Sequence, residues 1–295
     1  MRVLITGAAG EFGRDLAPWL AARHDVRATD ILPVDAPYEF VPADLREPAH
    51  VAALAEGMDA VIHLAVLLPR DCPTADFVDV NTKATTLLCE AAAAVGVKRF
   101  VYISTVWASG HGEEMPSPVD EHAPWLPLEM YGLTKLQGEL SAEYFARMTG
   151  MSTLVLRMCG YERSSEIAPD GSVDLDIANL ALLARDHLRT GQKICNPNDL
   201  GAIMEGALAA PVVGFDRVIV GNDVPWTAAD AVGLVADPGA VYDRYFPGAQ
   251  EMFAHFGVPP APVGFFYNTD RGRKLLGLRH QFTVADIVAH WRRRV

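Results

Sequence analysis

The sequence predicts an α/β fold, a doubly wound parallel sheet with a smaller, partly interleaved C-terminal lobe. Three observations predict it. Short apolar runs alternate with helical stretches through the first 160 residues, a glycine-rich turn joins the first run to the first helix, and the alternation fades beyond that point. Strands separated by helices imply right-handed crossovers, hence parallel strands with helices on both faces. Ligands on such sheets bind beyond the carboxyl ends of the strands.

The elements follow in order. "RVLIT" (Arg2 to Thr6) reads as a buried strand. Glu11 to Arg23 reads as a helix with Phe12, Leu16, Trp19 and Leu20 on one side, although Pro18 interrupts the pattern. Asp25 to Asp30 is a second strand, Ala49 to Gly57 a helix and Asp59 to Ala65 a strand. Asp76 to Gly96 is one long helix, Lys98 to Thr105 a strand, Tyr131 to Gly150 a helix and Ser152 to Met158 a strand. Further on, Val173 to Arg189 and Asn198 to Ala210 look helical, and Asp216 to Gly221 looks like a strand. Pro225, Pro238, Pro247 and "PPAP" from Pro259 punctuate the remainder, with short helices at "TDRGRKLLG" and "TVADIVAHW".

Composition narrows the function. Of 295 residues, half are hydrophobic and 21% charged, as in a globular protein with a well-buried core. A net charge of −12 argues against nonspecific binding to nucleic acid or anionic membrane. No apolar run is long enough to span a bilayer, and "MRVLITG" has no signal-peptide organisation. Cys72, Cys89, Cys159 and Cys195 are far apart, so a reducing cytoplasm and no metal site are expected. The nine histidines form no metal-binding pattern; His63 reads as a hydrogen-bonded core residue, and His111 and His122 as loop residues.

Two constellations carry chemistry. In "TGAAGEFG", Gly7, Gly10 and Gly13 lie between a strand and a helix. So tight a turn needs residues without side chains, and it lets backbone N–H groups and the helix N-terminus approach a pyrophosphate. Glu11 and Phe12 open that helix and would lie along the same dinucleotide. Asp30 ends the second strand, where a carboxylate would accept hydrogen bonds from an adenosine ribose and repel a 2′-phosphate. No arginine follows at once, which favours NAD over NADP. In "MYGLTK", Tyr131 and Lys135 are four residues apart, so they share one helix face. A cation beside a phenol would pull its pKa down from about 10 and make it a usable base.

In the order of these motifs the chain resembles the extended short-chain dehydrogenase/reductases, within the NAD-dependent epimerase/dehydratase family. The glycine loop and Asp30 are followed by "ADL", "HLAV", "VNTKATTLLCEAA", "YISTVWASG", "YGLTK", "LVLRM" and "RKLLGL". The resemblance implies a Rossmann-type NAD-binding domain over residues 1–160. Residues 161–295 would form mainly a substrate-binding lobe, with some segments returning to the sheet. It places Asp44 and Leu45 near the adenine, Leu64 and Ala65 along the dinucleotide, and Asn81 in support of the active site and against the cofactor. It makes Thr105, Tyr131 and Lys135 catalytic. Tyr131 would be the acid/base, and Lys135 would both lower its pKa and bind the nicotinamide ribose. Thr105, rather than Ser104 on the other side of the pleat, would hold the reacting oxygen. Thr105, Tyr131, Arg157, Cys159 and Arg163 would meet the substrate, with Ser164 and Ser165 nearby and an arginine available for a carboxylate. A homodimer through the outer faces of the Asp76 and Tyr131 helices is also implied.

The departures matter as much. Val106 and Trp107 stand where dehydratases of the family carry Asp-Glu. Gly160 stands where members that bind uridine-diphosphate sugars carry asparagine, "CNPNDLG" departs from another common stretch, and Ser109 replaces a common tyrosine. The expectation is therefore an NAD-dependent oxidoreductase acting on a secondary alcohol or carbonyl of a sugar, sugar acid or similar small molecule. The alternatives are a redox-neutral nucleotide-sugar epimerase, or a binding protein that keeps the dinucleotide fold without chemistry; the retained Thr105, Tyr131 and Lys135 count against the last.

Overall fold

The structure, a computed structural model, describes residues 1–68, 73–110, 117–161, 192–194, 196–279 and 284–293. Seven strands, β1 (Arg2–Thr6), β2 (Asp25–Asp30), β3 (Glu39–Pro42), β4 (Ala60–His63), β5 (Arg99–Thr105), β6 (Ser152–Met158) and β7 (Phe215–Val220), form one sheet in the order β3-β2-β1-β4-β5-β6-β7. The pairs β1–β2, β1–β4, β2–β3, β4–β5 and β5–β6 are parallel. The chain winds outward from β1 to β3, then returns to lay β4 on the other side of β1. That reversal opens a crevice at the carboxyl ends of β1 and β4, where such sheets bind nucleotides.

The chain divides into two compact units. The first comprises Met1–His111, Pro124–Met158 and Gly201–Val218, and the second Gly112–Ala123, Cys159–Leu200 and Ile219–Val295. In the first, the strands are buried on both faces, which is why they read as continuous apolar runs. On one face Leu4, Val61, Phe100 and Val155 pack against Leu54 of α2 (Pro48–Ala55) and Leu88 of α4 (Ala84–Ala94). In α1 (Glu11–Ala21), Leu16, Ala17 and Leu20 are buried. Pro18 sits on its exposed side. The second unit has its own core of Trp226, Leu234, Tyr242, Phe253, Ile287 and Trp291.

Three elements differ from the expectation. β3 was not foreseen; it is a short edge strand, part-exposed and ending in proline, so it lacks an apolar run. The long Asp76–Gly96 helix is three joined segments: α3 (Thr74–Phe77), a π-helical stretch Val78–Lys83, and α4. The proline-punctuated stretch after β7 contains helices at Ala231–Ala236, Pro238–Tyr245 and Ala249–His255, each too short to show periodicity. The expected helix Val173–Arg189 lies outside the described residues, as do Arg163, Ser164, Ser165, His111, Cys72 and Cys195. Among the described residues, no helix is long and apolar enough to cross a membrane.

Candidate active site

Backbone contact, not merely flexibility, requires glycine in the turn after β1. Gly7 has φ +75°, and a Cβ there would lie 2.6 Å from the Ala65 nitrogen at the end of β4. A Cβ on Gly13 would lie 2.3 Å from the Gly7 carbonyl oxygen. Exposed Gly10 is the N-cap of α1 and supplies no side-chain cap, at the helix end where an anion is favoured. Asp30 fixes this turn from β2. Its Oδ2 accepts from the Ala9 N–H at 2.9 Å and its Oδ1 from the Leu32 N–H at 3.0 Å. Glu11 is exposed and Phe12 half-buried beside the turn. Asp44 is gripped by Arg46 at 2.6 Å, which holds its carboxyl below the usual range. Leu45 and Leu64 are buried, and the Ala65 N–H donates to Thr6 Oγ1 at 3.2 Å.

Beneath the crevice runs a directed chain of hydrogen bonds. The Thr85 hydroxyl donates to the Asn81 carbonyl at 2.7 Å, so its oxygen accepts from His63 Nε2–H at 2.9 Å. His63 Nδ1 then accepts from Thr6 at 2.7 Å. Burial, aided by the charge of Lys135, pushes the His63 pKa down to about 3. His63 is a neutral core residue, as the sequence suggested. Because its folded pKa lies below the unfolded value of about 6.5, its contribution to stability is complete above pH 6.5 and is lost as pH falls through about 3. Urea unfolding should therefore show a stability loss of about 2 kcal/mol between pH 7 and pH 5, and His63→Gln should flatten that slope. Equal slopes in the two proteins would mean that His63 titrates normally.

Asn81, expected to meet the cofactor, is fully buried, and its amide holds protein instead. Its Oδ1 accepts from Leu67 N–H at 2.7 Å, and its Nδ2 donates to the Leu67 carbonyl at 3.1 Å and to Thr134 Oγ1 at 3.2 Å. It pins the loop after β4 to helix α5 (Met130–Thr149), in keeping with the expected support of the site.

The structure brings Thr105 and Tyr131 together, with Lys135 one turn further along α5. Thr105 ends β5, accepts from the Trp107 N–H at 3.2 Å and hydrogen-bonds Tyr131. Tyr131 stands edge-on to Trp107, with ring centroids 5.7 Å apart. Gly132 lets the helix come this close, since a Cβ there would lie 2.5 Å from the Trp107 carbonyl oxygen. Ser104 points away, donating to Glu139 at 2.6 Å, so Thr105 alone of the pair faces Tyr131. The electrostatics correct one expectation. Burial raises Tyr131 to about 12; the Thr105 hydrogen bond opposes this and the charge of Glu129 adds to it. Burial lowers Lys135 to about 7, with Glu139 opposing, and its Nζ lies 4.1 Å from the centre of the Tyr102 ring. Desolvation thus outweighs any pull of the lysine on the phenol.

A second correction concerns Arg157. Its side chain is wholly buried, with Nη2 donating to Glu139 at 2.8 Å and Nη1 to Ser109 at 2.8 Å. It belongs to the protein and is not free for a substrate carboxylate. Cys159 lies in the second unit, where a Cβ on Gly221 would come within 2.7 Å of its Sγ, and burial raises its thiol pKa. No metal-binding cluster exists among the described residues. Sequence reading overlooked Glu139 and Glu129. Glu139 is one turn beyond Lys135 on the same helix face, and that spacing was the available signal.

A parallel sheet with this turn at its reversal point, and a hydroxyl, phenol and amine gathered at the ends of β5 and α5, define a dinucleotide-binding α/β protein. The chain belongs to the NAD dependent epimerase/dehydratase family, whose profile matches residues 3–174. It is 33% identical over 162 residues to uronate dehydrogenase of Pseudomonas putida, covering 53% of this chain and 60% of that one. It is 30% identical over 172 residues to L-arabinose 1-dehydrogenase (NAD(P)(+)) of Haloferax volcanii, covering 53% and 66%. The matched stretch is thus less than two-thirds of either relative. Among solved structures, a short-chain dehydrogenase/reductase superfamily protein from Agrobacterium tumefaciens with bound NAD shares the fold. It has a TM-score of 0.70 at 23% identity, covering 100% of this chain and 98% of that one.

Proposed function

We propose that the chain is an NAD-dependent oxidoreductase that moves a hydride between NAD and a secondary alcohol or carbonyl of a sugar or similar small molecule. The hydrogen-bonded Thr105–Tyr131 pair, with buried Lys135 one turn along, carries this reading. NAD, when bound, supplies the hydride acceptor. In dehydrogenation the Tyr131 oxygen takes the hydroxyl proton, and in reduction it returns one. The Thr105 hydroxyl donates to the same substrate oxygen and holds it as charge develops. Lys135 would hold the nicotinamide ribose, and the turn at Gly7, Gly10 and Gly13 would receive the pyrophosphate, with Glu11, Phe12, Leu64 and Ala65 as its neighbours. Asp44 and Leu45 would serve the adenine.

Gly160, in place of the asparagine of uridine-diphosphate-sugar enzymes, supports this reading over epimerisation, while similar proteins include both sugar dehydrogenases and nucleotide-sugar epimerases. Two observations favour a neutral sugar over a sugar acid. Arg157 is committed to Glu139, and Glu129 brings negative charge beside Tyr131. Net accumulation of NADH across a panel of aldoses, uronic acids and nucleotide sugars tests the proposal. Turnover of a nucleotide sugar without net NADH would establish the epimerase instead.

Asp30, held beside the turn, should make NAD bind at least about tenfold tighter than NADP, because a 2′-phosphate would meet its carboxylate. Calorimetric titration with both nucleotides checks this, and equal affinities would put the carboxylate elsewhere. Leu140, Tyr144 and Met148 repeat at helical spacing on α5 and are 43%, 52% and 66% exposed, a stripe suited to a homodimer. Light scattering at micromolar concentration should give twice the chain mass; a monomer mass would remove this reading. A reducing, cytoplasmic setting fits the free thiols of Cys89 and Cys159.

A further inference from the structure

Glu139 is fully buried on α5, one turn beyond Lys135 and two beyond Tyr131. Its Oε1 accepts from Ser104 Oγ at 2.6 Å and from Arg157 Nε at 2.9 Å, and its Oε2 accepts from Arg157 Nη2 at 2.8 Å. Arg217 Nε lies 3.6 Å from Oε2, while Arg217 Nη2 donates to Glu143 at 2.8 Å. Ser104 is the neighbour of Thr105 on β5. One buried carboxylate therefore touches the strand that carries Thr105 and sits on the helix face that carries Tyr131 and Lys135.

Lys135 needs such a group. It is 2% exposed, and an ammonium ion without a counter-charge is costly to bury. The titratable groups acting on it are Glu139 from α5, Tyr102 from β5, whose ring its Nζ overlies, and His63 from β4. Burial keeps the Tyr102 phenol and the His63 imidazole neutral, so of these Glu139 alone can offer a counter-charge. Arg157 is hydrogen-bonded to this carboxylate, while Lys135, one turn back on the same helix and equally buried, feels its charge without a direct bond.

We propose that Glu139 is a positioning residue of the site: it supplies the counter-charge that keeps the buried Lys135 ammonium protonated, and through Ser104 it ties that charge to the strand bearing Thr105. The proposal rests on Lys135 as a ligand of the nicotinamide ribose. A purely structural Glu139, serving only to neutralise Arg157, is the competing account.

The pH dependence of NADH affinity, followed by fluorescence titration of the full chain between about pH 5 and pH 9, separates the two. In the wild type, affinity should fall as pH rises through about 7, where Lys135 loses its proton. Lys135→Met should abolish that break; if the break persists, the role given to Lys135 fails, whatever Glu139 does. The double variant Glu139→Gln/Arg157→Met removes both charges of the pair and leaves no unpaired arginine. It should move the break down by about one pH unit or more. Arg157→Met alone should move it up, because the whole carboxylate charge then faces Lys135. A break that stays in place in the double variant overturns the proposal. Should the double variant not fold, the single one decides, and an unmoved break there overturns it equally.

Discussion

Tyr131→Phe should lower turnover by about 100-fold or more, the scale of losing a general acid/base. The substitution removes one oxygen. The ring keeps its edge contact with Trp107, and Thr105 keeps its bond from the Trp107 amide. NADH affinity and thermal stability should therefore change little. The pH profile should show the specific loss. With its pKa raised to about 12 by burial, the phenol is protonated at neutral pH and ready to donate in the reductive direction. As a base it becomes available only as pH rises, so wild-type dehydrogenation should climb steadily on the alkaline side and the phenylalanine variant should lose that climb. Steady-state rates over a pH series, with the true substrate, measure this. Near-normal turnover in the variant would make Tyr131 and Lys135 a coincidence of spacing.

Lys135→Met should be inactive yet more stable than the wild type at neutral pH. Burial lowers the folded pKa of Lys135 from its usual 10.5 to about 7. The unfolded chain therefore binds more protons between those values. The group's stability contribution is fully present above 10.5 and lost as pH falls through about 7. Below neutrality the protein holds a buried ammonium ion, which methionine replaces with an apolar chain of similar length. Glu139 keeps its bonds to Arg157 and Ser104, so no buried charge is orphaned. A gain of about 1–4 kcal/mol at pH 6 is expected, shrinking towards pH 10. Denaturant titrations at the two pH values test it; equal stability of both proteins at pH 6 would show that the ammonium is already fully compensated. Function here is maintained against stability, as is common where a charge must be held in a dry site.

The Tyr131–Lys135 pair and the glycine turn were legible because each is a local pattern: glycines between a strand and a helix, or two side chains one helical turn apart. The strands β1, β4, β5 and β6 were legible because both their faces are buried. β3 was not, since an edge strand of part-exposed residues ending in Pro42 has no period to read. The roles of Arg157 and Glu139 were hidden for another reason. Their meaning lies in a pairing between β6 and α5, and nothing on either segment alone announces the other. Arg157 thus read as a substrate ligand when it is a core cation. The partner that Asn81 clamps was hidden in the same way, because the loop at Leu67 is reached only through folding. The direction of the Tyr131 and Lys135 shifts needed the degree of burial, which residue spacing does not contain.

The π-helical stretch Val78–Lys83 has a consequence for how this chain tolerates insertions and deletions. A π turn is wound i to i+5, so the rod from Thr74 to Ala94 carries a surplus residue compared with a plain α-helix of the same span. Removing one residue from Val78–Lys83 would leave a regular helix, with both ends still able to dock. Because the π turn absorbs the surplus residue locally, the flanking segments would keep their phase, and only the residues of the turn itself would be re-aimed. The Asn81 amide would leave Leu67 and Thr134, and the loop after β4 would lose its tie to α5, while Thr85 would still find a carbonyl four residues back. A helix usually resists a deletion because its packing face slips out of register. Here the shortened helix is the regular one, and the register that suffers is that of the crevice, so a folded but idle protein is a single codon away.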